Sequence, residues 1–123
     1  MQSLLGLLKD INHFSLLLGS ILLVMGFITL KLPPKKINLW YGYRTSRSMK
    51  NQENWIFAQK FATGEMIRGG WIMIIFALSG LIFPTSVLID TLAGTTLMII
   101  LFVVLLVRTE KAIKQFEDSS DED

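Results

Sequence analysis

The sequence predicts an all-α membrane protein: three transmembrane helices, with an amphipathic interfacial helix in the loop between the first and second. Three observations carry this. Hydrophobic residues make up 51% of the chain, and they fall in unbroken blocks instead of being spread over amphipathic elements. Three of the blocks are long enough to cross a bilayer. Between the first two, residues 31–68 hold eight Lys/Arg against two acids, the composition of a loop at a membrane surface. Residues 1–123 read as one membrane domain.

The first block, residues 14–30, is uncharged. As a helix it measures about 26 Å at ~1.5 Å per residue, the short end for a span. Before it, Leu4, Leu5, Leu8 and Ile11 share a helical face, while Lys9, Asp10, Asn12 and His13 are too polar for hydrocarbon. This stretch is either a short interfacial helix or an extension of the span. A signal peptide is not expected, because Asp10 offsets Lys9 and Lys31-Leu32-Pro33-Pro34 follows where a small-residue cleavage site belongs.

The second span is expected over residues 66–83, with Arg68 snorkelling at its entry and Pro84 stopping it. The third, residues 87–107, is the clearest, about 32 Å long on the same rise. An uncharged hairpin of Pro84, Thr85 and Ser86 joins the two. Small residues recur along the spans: Ser15, Gly19 and Gly26 in the first, Gly70 and Ala77 in the second, Ala93 and Gly94 in the third. Such spacings let helix backbones approach closely. The acidic tail, residues 117–123, reads as disordered and solvated.

An odd number of crossings puts the termini on opposite sides. One side carries only Lys9, and the other carries the eight loop cations with Arg108, Lys111 and Lys114. Eleven to one is a decisive bias under the positive-inside rule. Loop 31–65 and the C-terminus are expected in the cytoplasm and the N-terminus outside. Topology also accounts for the loop's charge, so no nucleic-acid partner is called for.

Within the loop, Pro33-Pro34 stops the first helix and Gly42, between Tyr41 and Tyr43, supplies a turn. A helix follows, capped by Asn51 or Ser48, with Glu53 near its start to suit the macrodipole. Its wheel gathers Trp55, Phe57, Ala58, Phe61 and Ala62 on one side, as in an interfacial helix running into the second span. Two readings of Arg44, Tyr41, Tyr43 and Trp55 remain open. One is an interfacial belt of aromatic and basic residues. The other is a packed cap in which Arg44 bonds Asn51, Glu53 or an anionic lipid headgroup, using its planar fork.

The chain has no Cys and a single His. That excludes thiolate chemistry and leaves no metal cluster, nucleophile–base pair or cofactor motif. Asp90 is the one acid inside a span. Intramembrane acids are functional by default, but this one lies in the first turn of its helix, where a negative charge is favourable near water.

The loop's wording supports a resemblance. Pro33-Pro34-Lys35-Lys36-Ile37-Asn38, Tyr41-Gly42-Tyr43-Arg44-Thr45, Ser48-Met49-Lys50-Asn51 and Glu53-Asn54-Trp55 resemble the SdpI family of small bacterial membrane proteins. Its members share a Pro/Lys-Ile-Asn start, a Gly-x-Arg-Thr element and an Asn-x-Glu-x-Trp helix opening, followed by two further spans. The namesake, similar to this chain over its C-terminal half, protects cells that secrete a membrane-active peptide toxin.

The resemblance implies a non-enzymatic, multi-pass protein of the bacterial inner membrane. It implies a role in peptide-toxin immunity or in toxin or lipid sensing. It also marks Asn38, Gly42, Arg44, Thr45, Asn51, Glu53 and Trp55 as motif residues, with Tyr41 and Tyr43 beside them. The expected partners are the bilayer with its anionic headgroups, a peptide toxin, and further copies of the chain. Two alternatives stand beside this: a small oligomeric transporter using Asp90, and an enzyme acting on lipid headgroups.

Overall fold

The structure, a computed structural model, describes residues 4–121. It contains four α-helices: α1 (Leu4–Asp10), α2 (His13–Lys31), α3 (Gln52–Leu78) and α4 (Val87–Asp121), with a 3-10 turn at Ser79–Leu81 after α3. α2, α3 and α4 are each long and apolar enough to cross a membrane. The chain is a multi-pass membrane protein.

α1 is a separate short helix with Leu4 and Leu5 exposed. The break before α2 is made by Asn12, whose backbone N–H donates to the Ala77 carbonyl at 3.0 Å, across to the end of α3. Gly80 in the 3-10 turn lies so close to the Asp10 carbonyl that a Cβ there would collide with backbone. The contact lies where α3 gives way to the 3-10 turn. The α-helix stops at Leu78, not at Pro84, and the Ser79 carbonyl accepts from both Ile82 N–H and Phe83 N–H to close the turn.

α2 and α3 form the main interface, and small residues make it. A Cβ at Gly19 would sit 2.9 Å from Met73 Cβ, and one at Gly70 would sit 2.8 Å from Leu23 Cγ. Gly26 lies against Ile67, and Ser15, Ala77 and Gly94 are buried too. Side chains without volume let dispersion act between backbones, which suits a solvent where apolar burial drives little association. Near the loop-side rim, Thr63 Oγ1 donates to Thr29 Oγ1 at 3.0 Å, tying α3 to α2.

The helix expected in the loop is the first half of α3, continuous with the second span from Gln52 onward. It packs against its neighbours instead of lying flat, with Trp55, Ala58, Gln59, Ala62 and Thr63 buried. α4 also differs from expectation, running 35 residues to Asp121. At ~1.5 Å per residue that is about 52 Å, well beyond the ~30 Å hydrocarbon core. Little of its apolar part is buried within the chain, Gly94 excepted, but Thr109 and Ile113 beyond it are fully buried. Phe116 stacks on Phe57 with ring centroids 4.6 Å apart. The tail is therefore helical through Asp121, because these apolar contacts hold the helix to α3. Glu122 and Asp123 lie outside the described residues.

Candidate functional site

Residues 32–51 fold into a cap over one end of the three spans. Asn38 builds its first turn, its Oδ1 accepting from Trp40 N–H at 2.9 Å and Tyr41 N–H at 2.8 Å. Its Nδ2 donates to the Lys36 carbonyl at 2.9 Å. The Tyr41 hydroxyl donates to the Leu32 carbonyl, closing the segment onto the end of α2. Gly42 follows with φ +105°, the only positive φ among the described residues. A Cβ there would fall 2.5 Å from Gln59 Oε1 and 2.8 Å from Pro34 Cγ. Both conformation and space demand glycine.

Three side chains of α3 hold the cap. Gln59 accepts from Tyr43 N–H at 2.7 Å and donates to the Tyr43 carbonyl at 2.8 Å. Trp55 is fully buried, and its Nε1 donates to the Pro34 carbonyl at 2.6 Å. Asn54 donates to the Arg47 carbonyl at 3.1 Å and to Glu117 Oε1 at 2.5 Å. Asn51 caps α3 by accepting from Asn54 N–H at 2.8 Å. Thr45 and Ser48 cap one another: Ser48 Oγ accepts from Thr45 N–H at 2.8 Å, and Thr45 Oγ1 accepts from Ser48 N–H at 3.1 Å.

The extension of α4 closes the far side. Glu110 accepts from the Tyr43 hydroxyl at 2.7 Å and pairs with Arg47 Nε at 3.3 Å. One turn pair further on, Glu117 lies 3.8 Å from Lys50 Nζ. Burial, then the hydrogen bond to Glu110 and its negative charge, push the Tyr43 phenol well above the ordinary tyrosine value.

Arg44 does not take the place expected of it. It is exposed, its Nη1 donates to the Leu39 carbonyl, and it reaches neither Asn51 nor Glu53. Glu53 is exposed in the first turn of α3 and makes no ion pair among the described residues. The reason is local. Gln59 and Ser48 both bond the Tyr43 carbonyl, which fixes the chain so that Tyr43 and Arg47 face inward and Arg44 faces out. Sequence reasoning offered Ser48 only as a helix cap and Asn54 only as part of a motif, and it missed Arg47, Gln59, Glu110 and Glu117. Helical spacing held a signal for the last two, since Glu110, Ile113 and Glu117 share one face of a continued helix.

At the opposite end, Asp90 is half-buried in the first turn of α4. Thr85 Oγ1 donates to its Oδ1, and its backbone N–H donates to the Ser86 carbonyl at 2.9 Å. The buried Asn12 side chain lies against the same carboxylate. With its NH2 turned inward it donates to Oδ1 at 2.9 Å and to Oδ2 at 3.1 Å. The opposite orientation lets it reach the Phe76 carbonyl, but sets an amide oxygen against carboxylate oxygens. No cluster of three metal-ligating side chains occurs among the described residues.

The model of the SdpI/YfhL protein family matches residues 35–109, from Lys35 in the cap through the apolar part of α4. The chain belongs to this family. Within the SdpI/YfhL family it is similar to the uncharacterized protein YfhL of Bacillus subtilis (strain 168). The two are 34% identical over 96 residues, covering 78% of this chain and 82% of YfhL. No solved structure matches. The family match takes in the bonds from Gln59 and Asn54 to the cap, begins one residue after Pro34, the partner of Trp55, and ends one residue before Glu110, where the α4 contacts begin.

Proposed function

We propose that this chain is a non-enzymatic immunity-type protein of the bacterial inner membrane, protecting the bilayer against a membrane-active peptide. In this reading the cap faces the cytoplasm, as the eleven-to-one distribution of Lys and Arg favours. Family membership supports the reading. The observation that carries it is the cap itself. A loop that only joined two spans needs no fully buried Trp55, no strap from Gln59 and no second clamp from Glu110. Ordering about twenty residues costs conformational entropy, and here it yields a fixed surface presenting Arg44 and Trp40 outward.

The transporter reading has less behind it. Asp90, the residue it needs, is engaged by Thr85 and Asn12 at a helix start, which favours a structural role. The test is deletion and re-expression in the native host, with challenge by membrane-active peptides from competing strains. Re-expression should restore survival, and Trp55→Ala at equal membrane level should not. A deletion strain as resistant as its parent to every peptide would remove the immunity reading.

A further inference from the structure

A groove of about 550 Å³ runs between the end of α2, Pro33-Pro34 and one stripe of α3. The stripe follows helical spacing: Gln52, Ile56, Gln59 with Lys60, then Thr63. The groove is within the usual range of about 300–1,000 Å³ for ligand sites, and its lining is mainly apolar. At its floor the Thr29 and Thr63 hydroxyls bond to each other and to the Met25 and Gly26 carbonyls, so they ask nothing of an occupant. One wall is set by the bond from Trp55 Nε1 to the Pro34 carbonyl, and Gly42 supports the same proline from behind.

Position and charge specify what fits. The groove begins at the last apolar turn of α2, just before Lys31 ends that helix. Its floor, the Thr29–Thr63 pair, lies two residues from Glu65, which Arg108 at the end of the apolar part of α4 touches at 3.1 Å. This is the headgroup boundary. Leu30 and Ile56 remain 57% and 48% exposed, so the mouth opens sideways toward acyl chains. Its rim carries Lys35, Lys36 and Lys60, all exposed and none in an ion pair among the described residues. Of the other five loop cations, Arg47, Lys50 and Arg68 have carboxylate partners, while Lys31 and Arg44 have none among the described residues and do not line the groove. Three free ammonium groups over an apolar slot at bilayer level complement a molecule with a phosphate at one end and a hydrocarbon chain at the other.

We propose that this groove holds the headgroup end of one anionic phospholipid, its phosphate among Lys35, Lys36 and Lys60, its glycerol and first chain carbons against Pro33 and Ile56, and its chains leaving past Leu30 into the bilayer. The site does not rest on the immunity reading, since the cap can protect against a peptide whether or not a lipid sits beside it. A soluble peptide is the weaker fit because the groove opens into the hydrocarbon layer, not away from it.

The test uses the full chain in detergent micelles with equal amounts of phosphatidylglycerol and phosphatidylcholine, read by native mass spectrometry. One phosphatidylglycerol should be retained in preference. Retention should fall roughly tenfold or more in K35Q/K36Q/K60Q, and stay unchanged in K9Q/K111Q/K114Q, which removes equal charge elsewhere. Ile56→Trp should fill the slot and lower retention with every lysine in place. If that variant does not keep its helical content, Leu30→Trp gives the same reading from the other wall. Equal retention of both lipids, or equal loss in both lysine triples, would overturn the site. So would displacement of the lipid by glycerol phosphate alone or by an acidic peptide. Loss of the lipid with unchanged peptide resistance would leave the immunity reading standing.

Discussion

Gln59, on α3, satisfies both backbone groups of Tyr43: Oε1 accepts from its N–H at 2.7 Å, and Nε2 donates to its carbonyl at 2.8 Å. A side-chain amide is one of the few groups that can copy this half of a strand pairing, offering an acceptor and a donor side by side. The cap is thus joined to a membrane helix by a contact that behaves like backbone.

Gln59→Leu should loosen the cap while leaving the spans intact. It strands the partly buried Tyr43 N–H and leaves the Tyr43 carbonyl to Ser48 alone, a loss of about 1–3 kcal/mol. Hydrogen exchange in detergent should show faster exchange across residues 38–50 with little change in the second half of α3. Gln59→Glu keeps the acceptor and loses the donor, so it should fall between the two. Unchanged exchange in the Leu variant would mean the strap contributes nothing.

The Tyr43 phenol should ionise late. Its pKa is raised by burial first and by Glu110 second. A neutral acid whose folded pKa exceeds its unfolded value keeps its contribution at low pH. Stability from this group should be flat up to the unfolded value of about 10 and decline at higher pH. Tyr41→Phe leaves Tyr43 as the only phenol. Phenolate absorbance in that variant should rise well above the ordinary range, and adding Glu110→Gln should bring it part of the way back. A midpoint near the ordinary value would show that the phenol faces water.

Arg44 and Glu110 should separate in a stability measurement. Arg44→Ala removes an exposed side chain that bonds one carbonyl, and the expected change is within about 0.5 kcal/mol. Glu110→Ala removes the partner of both Tyr43 and Arg47. The expected loss is roughly 1–3 kcal/mol, as for hydrogen bonds to a charged group. Thermal unfolding in one detergent compares them. A larger loss for Arg44→Ala would reverse this assignment of roles.

The orientation can be read chemically because the chain has no cysteine of its own. In intact cells, Ser46→Cys and Ser120→Cys should resist a membrane-impermeant thiol reagent, and Thr85→Cys should react. The opposite pattern would put the cap outside.

Much of this was legible in the sequence because it is local. The spans follow from block hydropathy, the cap of α3 from Asn51, and the packed seams from small residues at helical spacing. The end of α3 was misplaced because Pro84 is a visible stop, whereas the real one lies where Gly80 meets Asp10 across the fold. Arg44 was chosen over Arg47 for its motif context, but the choice is made by Glu110, 63 positions further along. The tail was read by charge alone, and charge does not reveal that Ile113 and Phe116 dock onto α3.

α4 is held at both ends, by Asn12 and Thr85 around Asp90 and by Tyr43 and Arg47 around Glu110, while between these points only Gly94, packed on Ser15, and Thr109 are buried. At 3.6 residues per turn, deleting one residue from that stretch swings Glu110 away from its partners by about 100°. Apart from Gly94, where a Cβ would collide with Ser15, and the buried Thr109, one apolar side chain suits the exposed length as well as another, so most amino acids there are interchangeable. Their number is not: the span acts as a ruler whose count of residues keeps two distant locks in phase.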